Sequence, residues 1–308
     1  MNYKVCLIGT KDTTLKAAEF ILKKIGYIDC IITIDEQKIN TQQISGFFSL
    51  EEFANQHNIE LFKVENYSMK DEKSQAFFTN NTFEIAICMG WQRLIPEYVL
   101  NRFVYGIFGF HGSCGYLPYG RGRSPLNWSV INGDQRFILN LFKYDAGVDS
   151  PNVYQNRIFE ISPHDDIRTL QYKNLLVSFE MMGNLLNDYF KGTIKIKTES
   201  KDFDSLYSKR TPQDGKINFH EKTRNIYNLI RGVTNPFPGA FCCIKGKKER
   251  ILIWKAIPFD CIIDFSNYEV GEIIEVFDDK PIVRTIDGSL LIEKYESTLE
   301  IKKHDILQ

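Results

Sequence analysis

Short apolar runs alternate with longer amphipathic stretches over the first two thirds of the chain, and this alternation predicts an α/β domain. The run Phe83–Met89 is apolar on both faces, as is typical of a central strand in a parallel sheet. Asp165–Phe190 has the apolar spacing of a long amphipathic helix. We therefore expect a doubly wound, mostly parallel sheet. The predicted strands are Val5–Ile8, Ile28–Ile34, Ile59–Val64, Phe83–Met89, Gly106–Phe108, Phe137–Phe142 and Ile158–Ile161.

The pattern changes after a polar stretch, residues 191–204, which we interpret as a linker. Asp214–Phe219 resembles a strand and Glu221–Gly232 an amphipathic helix. Short alternating runs separated by tight turns then predict a small β-barrel module. We expect two domains, residues 1–202 and 203–308. The predicted strands of the second are Phe241–Ile244, Ile251–Ile257, Val270–Phe277, Ile282–Thr285 and Ser289–Lys294.

Composition narrows the class of protein only slightly. Hydrophobic residues make up 43% of the 308 and charged residues 25%, as in ordinary globular proteins. The net charge of −1 gives no indication of a polyanionic partner. The seven cysteines include no CxxC pair, so we expect reduced thiols and no metal. A strand pattern begins at the N-terminus and no apolar run approaches about 18 residues, so we expect a cytoplasmic protein without a leader or membrane span.

The stretch Gly106–Pro125 combines a buried strand end, a histidine and a loop rich in Gly, Pro, Ser and Arg. Open α/β sheets present catalytic groups in such loops at the carboxyl edge of the strands. A core histidine is the alternative interpretation of His111. The following residues, Gly120–Arg123, cannot belong to a core, which favours a functional His111. Pro125–Ile131 then predicts a short helix that ends at Asn132-Gly133.

Three other turns are candidate sites, and each has a structural alternative. Gly9-Thr10-Lys11 leads into a helix whose free amides can bind an anion, or it is a plain tight turn. Trp91, in the turn Gly90–Pro96, either plugs the core or forms the wall of a slot for a flat ring. In the acidic turn Tyr144–Pro151, the aspartates are either catalytic or form Asx-turns.

Taken together, these motifs resemble the folate-dependent formyltransferases. HGS…LPYGRGRSPLNWSVING is similar to their signature, in which His opens a loop ending in Leu-Pro-x-x-Arg-Gly-x-x-Pro. Asp145–Asp149 is similar to their Asp-x-Gly-x-Asp turn, and Gly90–Ile95 to their folate-pocket turn. Ser208–Phe241 resembles the domain junction of methionyl-tRNA formyltransferases and of the aminoarabinose formyltransferase domain. The likeness covers nearly the whole chain in the same order.

The resemblance implies a formyltransferase fold with an OB-like C-terminal domain, and transfer of a formyl group from 10-formyltetrahydrofolate to a primary amine without a metal. His111 would accept the proton of the amine, and Asp149 would orient its imidazole. The implied folate-binding residues are Gly90, Trp91, Gln92, Arg93, Leu94, Ile95, Tyr144, Asp145, Ala146 and Gly147. The candidate acceptor-binding residues are Gly9, Thr10, Lys11, Ser113, Arg121, Arg123 and Asn127, with a pyrophosphate either near Lys11 or on Arg121 and Arg123.

The sequence departs from the family pattern at two places. The family usually carries Asn two residues before the catalytic His, and this chain has Gly109 there. The loop after His111 is also longer by about two residues. Loss of one oxyanion donor costs about 2.7–4 kcal/mol in the transition state. The sequence leaves four replacements open: the Ser113 hydroxyl, the amide of Asn127 or of Asn140, and a backbone N–H near Gly112.

Three functions compete at this stage. The segments GRGRSPLNW and RTPQDG resemble the formyltransferases that act on nucleotide-linked amino sugars. This resemblance favours N-formylation of such a sugar for a surface glycan such as lipopolysaccharide. Methionyl-tRNA formylation is the alternative, but it needs a surface that neutralises phosphates. Acidic and basic residues cancel from Phe203 onward, and the one basic cluster, Lys245 to Arg250, is interpreted as a solvated hairpin turn. The third is a relative that binds folate or nucleotide sugar without catalysis, because of Gly109. Edges of the C-terminal sheet offer a surface for a homodimer.

Overall fold

An eight-stranded, mostly parallel sheet is the framework of the N-terminal part of the computed structural model, which describes residues 1–39, 46–146, 152–198 and 205–308. The strands of the N-terminal part are β1 (Asn2–Ile8), β2 (Cys30–Ile34), β3 (Glu60–Val64), β4 (Thr82–Cys88), β5 (Phe103–Ser113), β6 (Arg121–Gly122), β7 (Arg136–Lys143), β8 (Asn152–Glu160), β9 (Lys197–Thr198) and β10 (Leu206–Tyr207). Their order in the large sheet is β3-β2-β1-β4-β5-β7-β8-β9, and β6 pairs with β10 separately. The five strands from β3 to β5 run parallel, whereas β7 is antiparallel to β5.

Seven helices are assigned in the described parts of the chain: α1 (Asp12–Ile25), α2 (Glu51–Gln56), α3 (Glu72–Asn80), α4 (Glu97–Leu100), α5 (Pro125–Ile131), α6 (Ile167–Lys191) and α7 (Thr223–Val233). Two short 3₁₀ turns lie at Glu36–Lys38 and Pro212–Gly215. None of these helices is both long and apolar enough to cross a membrane.

The sheet is buried because its inner strands are apolar on both faces. All five residues of β2 are buried, as are the last four of β4. Aromatic rings fill one side of the core: Phe62 stacks on Phe77 with 3.6 Å between ring centroids, and Phe83 stacks on Phe103 at 4.8 Å. Such burial on both faces is what a parallel sheet covered by helices requires. It confirms the prediction that Phe83–Met89 is a central strand.

The C-terminal part contains a five-stranded antiparallel sheet with the order β11-β12-β15-β14-β13. The strands are β11 (Ala240–Cys242), β12 (Ile251–Asp260), β13 (Ile273–Phe277), β14 (Lys280–Thr285) and β15 (Gly288–Glu296). The last residues of the chain bond to both edges of this sheet: Ile244, just after β11, bridges to Leu307, and Glu272, just before β13, bridges to Ile306. The arrangement agrees with an OB-like module.

Three local predictions differ from the structure. Asp214–Phe219 is not a strand, because a capping box between Thr211 and Asp214 starts a 3₁₀ turn and only Lys216 bridges to Phe241. His111 lies inside β5 and not in the loop after it, since the pairing of β5 with β7 continues to Ser113. The predicted strand Ile158–Ile161 covers only the end of β8, which begins at Asn152.

The chain divides into two compact units that interleave along the sequence. The first contains residues 1–121, 138–158 and 174–205, and the second contains residues 122–137, 159–173 and 206–308. The domain boundary predicted after residue 202 falls outside the described residues and stays a prediction.

Candidate active site

The parallel pairing of three neighbouring strands ends in one row. Ile8 at the end of β1 pairs with Cys88 at the end of β4, and Cys88 pairs with Gly109 of β5. The residues after this row therefore emerge at the same carboxyl edge of the sheet, where open α/β sheets bind ligands. The turn at Gly9, the turn at Gly90 and the segment that carries His111 all begin there.

The turn after β1 packs directly on the end of β4. A Cβ atom on Gly9 would lie 2.0 Å from the carbonyl oxygen of Met89, so this position excludes a side chain. Thr14 donates its hydroxyl hydrogen to that carbonyl at 2.7 Å and accepts the N–H of Lys11 at 3.1 Å. The N–H of Gly9 donates to Ile32. Since two of its amides are already bonded within the fold, the geometry favours the tight-turn interpretation of Gly9-Thr10-Lys11.

The turn after β4 has buried anchors and an exposed centre. Trp91 is buried and packs edge-on against Tyr67 at 4.4 Å, and Ile95 is also buried. The hydroxyl of Tyr67 accepts the N–H of Gln92 at 2.8 Å. Of the two interpretations of Trp91, the structure therefore favours a side chain that fills the core. Gln92, Arg93 and Leu94 face solvent.

Tyr67 was not identified from the sequence, yet it organises this turn. The guanidinium of Arg93 lies 5.5 Å above its ring. Burial raises the pKa of the Tyr67 phenol, although hydrogen bonds with Thr10 and Gln92 oppose the shift. The phenol is therefore neutral at physiological pH, and it links the turns after β1 and β4 through uncharged hydrogen bonds.

His111 is held by the loop that follows it. Its Nε2 atom lies 2.7 Å from the carbonyl oxygen of Gly120, and its side chain is buried. A carbonyl oxygen only accepts, so Nε2 carries the hydrogen and Nδ1 is the basic nitrogen of the neutral ring. This fixed tautomer is what a proton acceptor in catalysis needs.

Ser113 closes the loop that is longer than in the family pattern. Its hydroxyl oxygen lies 2.9 Å from the carbonyl oxygens of both Gly115 and Tyr119, and it accepts the N–H of Gly115 at 3.1 Å. The side chain is fully buried. These bonds give Ser113 a structural role in the loop, and they occupy the hydroxyl that was one candidate oxyanion donor.

The side-chain amides of the two candidate asparagines are also hydrogen-bonded within the protein. Asn140 lies opposite His111 on β7, and its amide nitrogen donates to the carbonyls of His111 and Ile138 at 3.2 and 3.3 Å. Asn127 belongs to the second compact unit, where its amide donates to Gly232 at 2.8 Å. Neither amide nitrogen is therefore directed at a ligand.

The remaining candidates are the two arginines of the loop after β5 and the residues of the acidic turn. Arg121 is half-buried and Arg123 exposed, and their backbone N–H groups donate to Ser205 and Tyr207. Asp145 is exposed and accepts a hydrogen bond from Asn152 at 3.3 Å; Ala146 is exposed as well. The predicted residues Gly147 and Asp149 lie outside the described residues, so the pairing of His111 with Asp149 stays a prediction.

Gly109 is covered by Tyr144. A Cβ atom on Gly109 would lie 2.3 Å from the Tyr144 hydroxyl oxygen and 2.4 Å from the ring carbon Cε1. Tyr144 follows β7, and its N–H donates to Ile107 of β5 at 2.8 Å. The space into which a side chain at residue 109 would project is therefore filled by the polar end of a tyrosine.

Comparison with protein families matches two models to the chain. The model described as formyl transferase matches residues 35–182, and the model described as formyl transferase, C-terminal domain, matches residues 209–304. The two matches lie on the parts of the chain that contain the parallel sheet and the five-stranded antiparallel sheet.

Two individual proteins are also similar to this chain in sequence. Methionyl-tRNA formyltransferase of Fusobacterium nucleatum is 26% identical over 94% of this chain and 90% of its own length. The bifunctional polymyxin resistance protein ArnA of Wigglesworthia glossinidia brevipalpis is 29% identical over 83% of this chain and 39% of its own length. The name of the first relative indicates methionyl-tRNA as its acceptor, whereas the name of the second refers to polymyxin resistance.

Solved structures share the fold over nearly the full length. WlaRD, a sugar 3N-formyltransferase crystallised with dTDP and 5-N-formyl-THF, superposes with a TM-score of 0.65 at 20% identity, covering 97% of this chain and 99% of WlaRD. An N-formyltransferase from Helicobacter canadensis, in complex with folinic acid and dTDP-3-aminofucose, has a TM-score of 0.62 at 19% identity. The superposition covers 95% of this chain and 100% of that protein. The architecture is the formyltransferase fold.

Proposed function

Since the chain belongs to the formyl transferase family, we propose that it moves the formyl group of 10-formyltetrahydrofolate to the amine of a nucleotide-linked amino sugar. The observation that carries the proposal is the position of His111: it is buried at the carboxyl edge of the sheet, with Nε2 bonded to Gly120 at 2.7 Å. A buried imidazole with a fixed tautomer is suited to deprotonating an amine. The whole-length likeness to two sugar formyltransferases supports the choice of acceptor.

The reaction needs three groups around the formyl carbon. The amine nitrogen attacks this carbon, and the carbonyl electron pair moves to oxygen, which must be stabilised by a donor. A base accepts the proton that the attacking nitrogen loses, and we assign this step to His111. The bond between the formyl carbon and N10 of the folate then breaks, and N10 takes up a proton from the imidazolium. Asp149 is the carboxylate that would stabilise this imidazolium.

Folate is proposed to bind along the turn Gly90–Ile95. Its exposed centre, Gln92 to Leu94, offers polar and apolar contacts, whereas Trp91 and Ile95 anchor the turn in the core. Leu94 is 62% exposed. A pterin ring covering it would remove this apolar surface from water.

Transfer to methionyl-tRNA is the second candidate, because relatives with that name match most of the chain. The basic cluster between β11 and β12 does not favour it. Lys245 pairs with Glu269 at 3.7 Å, and Arg250 donates to Gln213 at 2.9 Å while lying 4.1 Å above the ring of Phe241. One of the four cations is thus paired with an acid and a second is held against the protein, which weakens the case for a surface dedicated to binding phosphates.

The test offers the protein 10-formyltetrahydrofolate together with one acceptor at a time. The acceptors are dTDP-, UDP- and GDP-linked amino sugars and initiator tRNA charged with methionine, and products are identified by mass spectrometry. We expect one amino sugar to gain a formyl group. Formylation of the tRNA alone would replace the proposal with its alternative, and binding of both ligands without product would identify a non-catalytic relative.

A further inference from the structure

A cavity of about 210 Å³ lies within the second compact unit. Its walls are helix α7, strands β12 and β15, and the turn that precedes α6. None of the described residues assigned above to folate, to the acceptor or to catalysis lines this cavity. Its side chains therefore need an explanation of their own.

The charge of an arginine is buried at one wall of the cavity. Arg231 is 8% exposed. Its Nε donates to the Asn228 side-chain oxygen at 2.9 Å, and its Nη1 donates to the carbonyls of Ser162 and Asp165 at 3.1 and 2.7 Å. Burial lowers the pKa of this guanidinium, yet an arginine keeps its charge at physiological pH. No described residue accepts a hydrogen bond from Nη2, which is the nitrogen left for the cavity.

The two aspartates of the lining direct their carboxylates elsewhere. The carboxylate of Asp165 pairs with Lys173. The carboxylate of Asp166 accepts the N–H of Thr169 at 2.9 Å, at the start of α6. Within the described parts of the chain, the Arg231 guanidinium is thus hydrogen-bonded to neutral oxygens alone. A buried charge is costly unless it is paired, and an anion in the cavity would provide the pair.

The strand wall of the cavity is irregular where β12 pairs with β15. Trp254 is an extra residue on β12, and Glu293 is an extra residue on β15. Bulges of this kind re-aim side chains and are frequent next to functional sites. Trp254 lines the cavity, and its indole Nε1 is buried without an acceptor among the described residues. The missing partner of this N–H donor is a hydrogen-bond acceptor.

The ring of Trp254 is held in place from its other edge. A Cβ atom on Gly239 would lie 2.8 Å from ring carbon Cζ3, which is on the edge of the indole remote from Nε1. The hydroxyl of Thr234 donates to the carbonyl of Trp254 at 2.8 Å. The indole N–H is therefore a preorganised donor.

Two exposed lysines oppose each other on the same wall. Lys255 pairs with Lys294 in the register of β12 and β15, and like charges directly opposite destabilise a sheet. The Nζ atom of Lys255 lies 2.9 Å from Glu293, which relieves part of this repulsion. Lys294 forms no ion pair with any residue that the structure describes. Its charge is available to an anion in the cavity.

The rest of the lining is largely apolar. The Arg231 guanidinium lies 5.3 Å above the ring of Tyr227, whose hydroxyl donates to the carbonyl of Pro163 at 2.6 Å. Ile230 and Ile257 line the cavity as well. These surfaces suit the hydrocarbon part of a ligand.

We propose that this cavity binds a small organic anion through a phosphate or carboxylate group. Nη2 of Arg231 and Nε1 of Trp254 donate hydrogen bonds to the anionic oxygens, and Lys294 adds charge. The ring of Tyr227 contacts the hydrocarbon part. The site goes beyond the proposed formyl transfer, and no bond forms or breaks in it.

The first test compares three probes that share one ring: phenyl phosphate, benzoate and the uncharged benzyl alcohol. Titration calorimetry at low, constant ionic strength gives their Kd values, since salt screens the charges. We expect both anions to bind at a single site at least about tenfold more tightly than benzyl alcohol, and the tighter of the two identifies the preferred group. Equal affinity for benzyl alcohol, or no saturable binding of either anion at millimolar concentrations, would overturn the proposal.

The second test removes the donors one at a time. Arg231→Gln should raise the Kd of the anions at least about tenfold, because it loses a charge-assisted hydrogen bond. Lys294→Gln and Trp254→Phe spare the bonds of Arg231 to the backbone, and each should raise the Kd about two- to fivefold. Lys280→Gln, at an exposed position on β14, is the matched control and should bind normally. Unchanged affinity in both Lys294→Gln and Trp254→Phe would contradict the site even if Arg231→Gln does not fold.

The third test locates the bound anion. The chain has three tryptophans, so a ¹⁵N-labelled sample gives three indole N–H signals, and the one lost in Trp254→Phe belongs to Trp254. Binding of the anion should shift this signal and leave the other two in place. A shift of another indole signal with that of Trp254 unchanged would place the anion elsewhere and refute the proposal. None of these measurements uses a formyl donor or acceptor, so their outcome is independent of the proposed function.

Discussion

The imidazole Nε2 of His111 and the carbonyl oxygen of Gly120 are 2.7 Å apart, although nine residues separate them in the chain. Gly120 is fixed in turn, because its N–H donates to the Ser205 hydroxyl at 2.8 Å. The loop after β5 thus folds back to set the tautomer of a histidine that lies inside β5. This gives the loop a positioning function in addition to any contact made by its arginines.

Replacing His111 by alanine should lower kcat by about 10²–10⁴-fold, the usual contribution of a general acid or base. Formation of the formylated product is the measurement, and the melting temperature of each variant checks that it folds. His220→Ala, at an exposed position in the second compact unit, is the matched control and should have normal turnover. Normal activity in His111→Ala would remove this residue from the mechanism.

Replacing Ser113 by alanine should lower the free energy of unfolding by about 1–3 kcal/mol, since the N–H of Gly115 loses its acceptor and the carbonyls of Gly115 and Tyr119 lose the one hydroxyl hydrogen within reach of both. Urea unfolding measures this change. The KM for the acceptor should rise less than tenfold if the loop stays closed. A large loss of kcat at unchanged stability would instead make Ser113 a catalytic contact.

Gly109→Ala should destabilise the protein by about 1–3 kcal/mol through overpacking against Tyr144. The same substitution in a Tyr144→Ala background should cost much less, because the obstructing ring is gone. A double-mutant cycle of unfolding free energies measures the coupling between the two sites. Additive effects would show that the two residues do not contact each other in the folded protein.

Asp165 links stability of the second compact unit to pH. Its carboxylate accepts the N–H of Ser162 at 2.7 Å and the hydroxyl of Thr169 at 3.0 Å, and it pairs with Lys173. Burial alone would raise the pKa of this carboxyl, but the bonds from Lys173, Ser162 and Thr169 outweigh it and lower the pKa.

Because the folded pKa of Asp165 is depressed, its contribution to stability is present above the unfolded pKa of about 3.9 and is lost as the pH falls through the lower folded value. We expect Asp165→Asn to be less stable than the unmodified protein at pH 7, and the difference in unfolding free energy to shrink below about pH 4. Urea titrations at several pH values test this. A difference that grows on acidification would contradict the assigned hydrogen bonds.

Local periodicity predicted most of the fold because each inner strand is buried on both faces. Phe83–Met89 could be placed at the centre of the sheet from its residues alone, and the helix Pro125–Ile131 has the predicted bounds. The prediction of a strand at Asp214–Phe219 was wrong. Its Ile217 and Phe219 are buried, as in a strand, but the backbone forms a 3₁₀ turn and a single bridge. Alternating burial does not by itself specify pairing with a neighbouring strand.

The site was harder to predict because its contacts depend on register. The sequence shows Gly109 and Tyr144 separately, but only the pairing of Gly109 with Phe142 brings the tyrosine over the glycine. Likewise, the sequence predicts that Ser113 binds the substrate, whereas in the structure its hydroxyl bonds to Gly115 and Tyr119.

The most direct test of the proposed function is a competition for labelled formyl groups. The protein is given limiting 10-[¹⁴C]formyltetrahydrofolate with equal concentrations of the amino-sugar nucleotide that it accepts best and of initiator methionyl-tRNA, and the label is counted in each product. We predict that the label enters the sugar nucleotide, and that His111→Ala leaves it on the folate. Label found mainly in the tRNA, or transferred equally well by His111→Ala, would contradict the account.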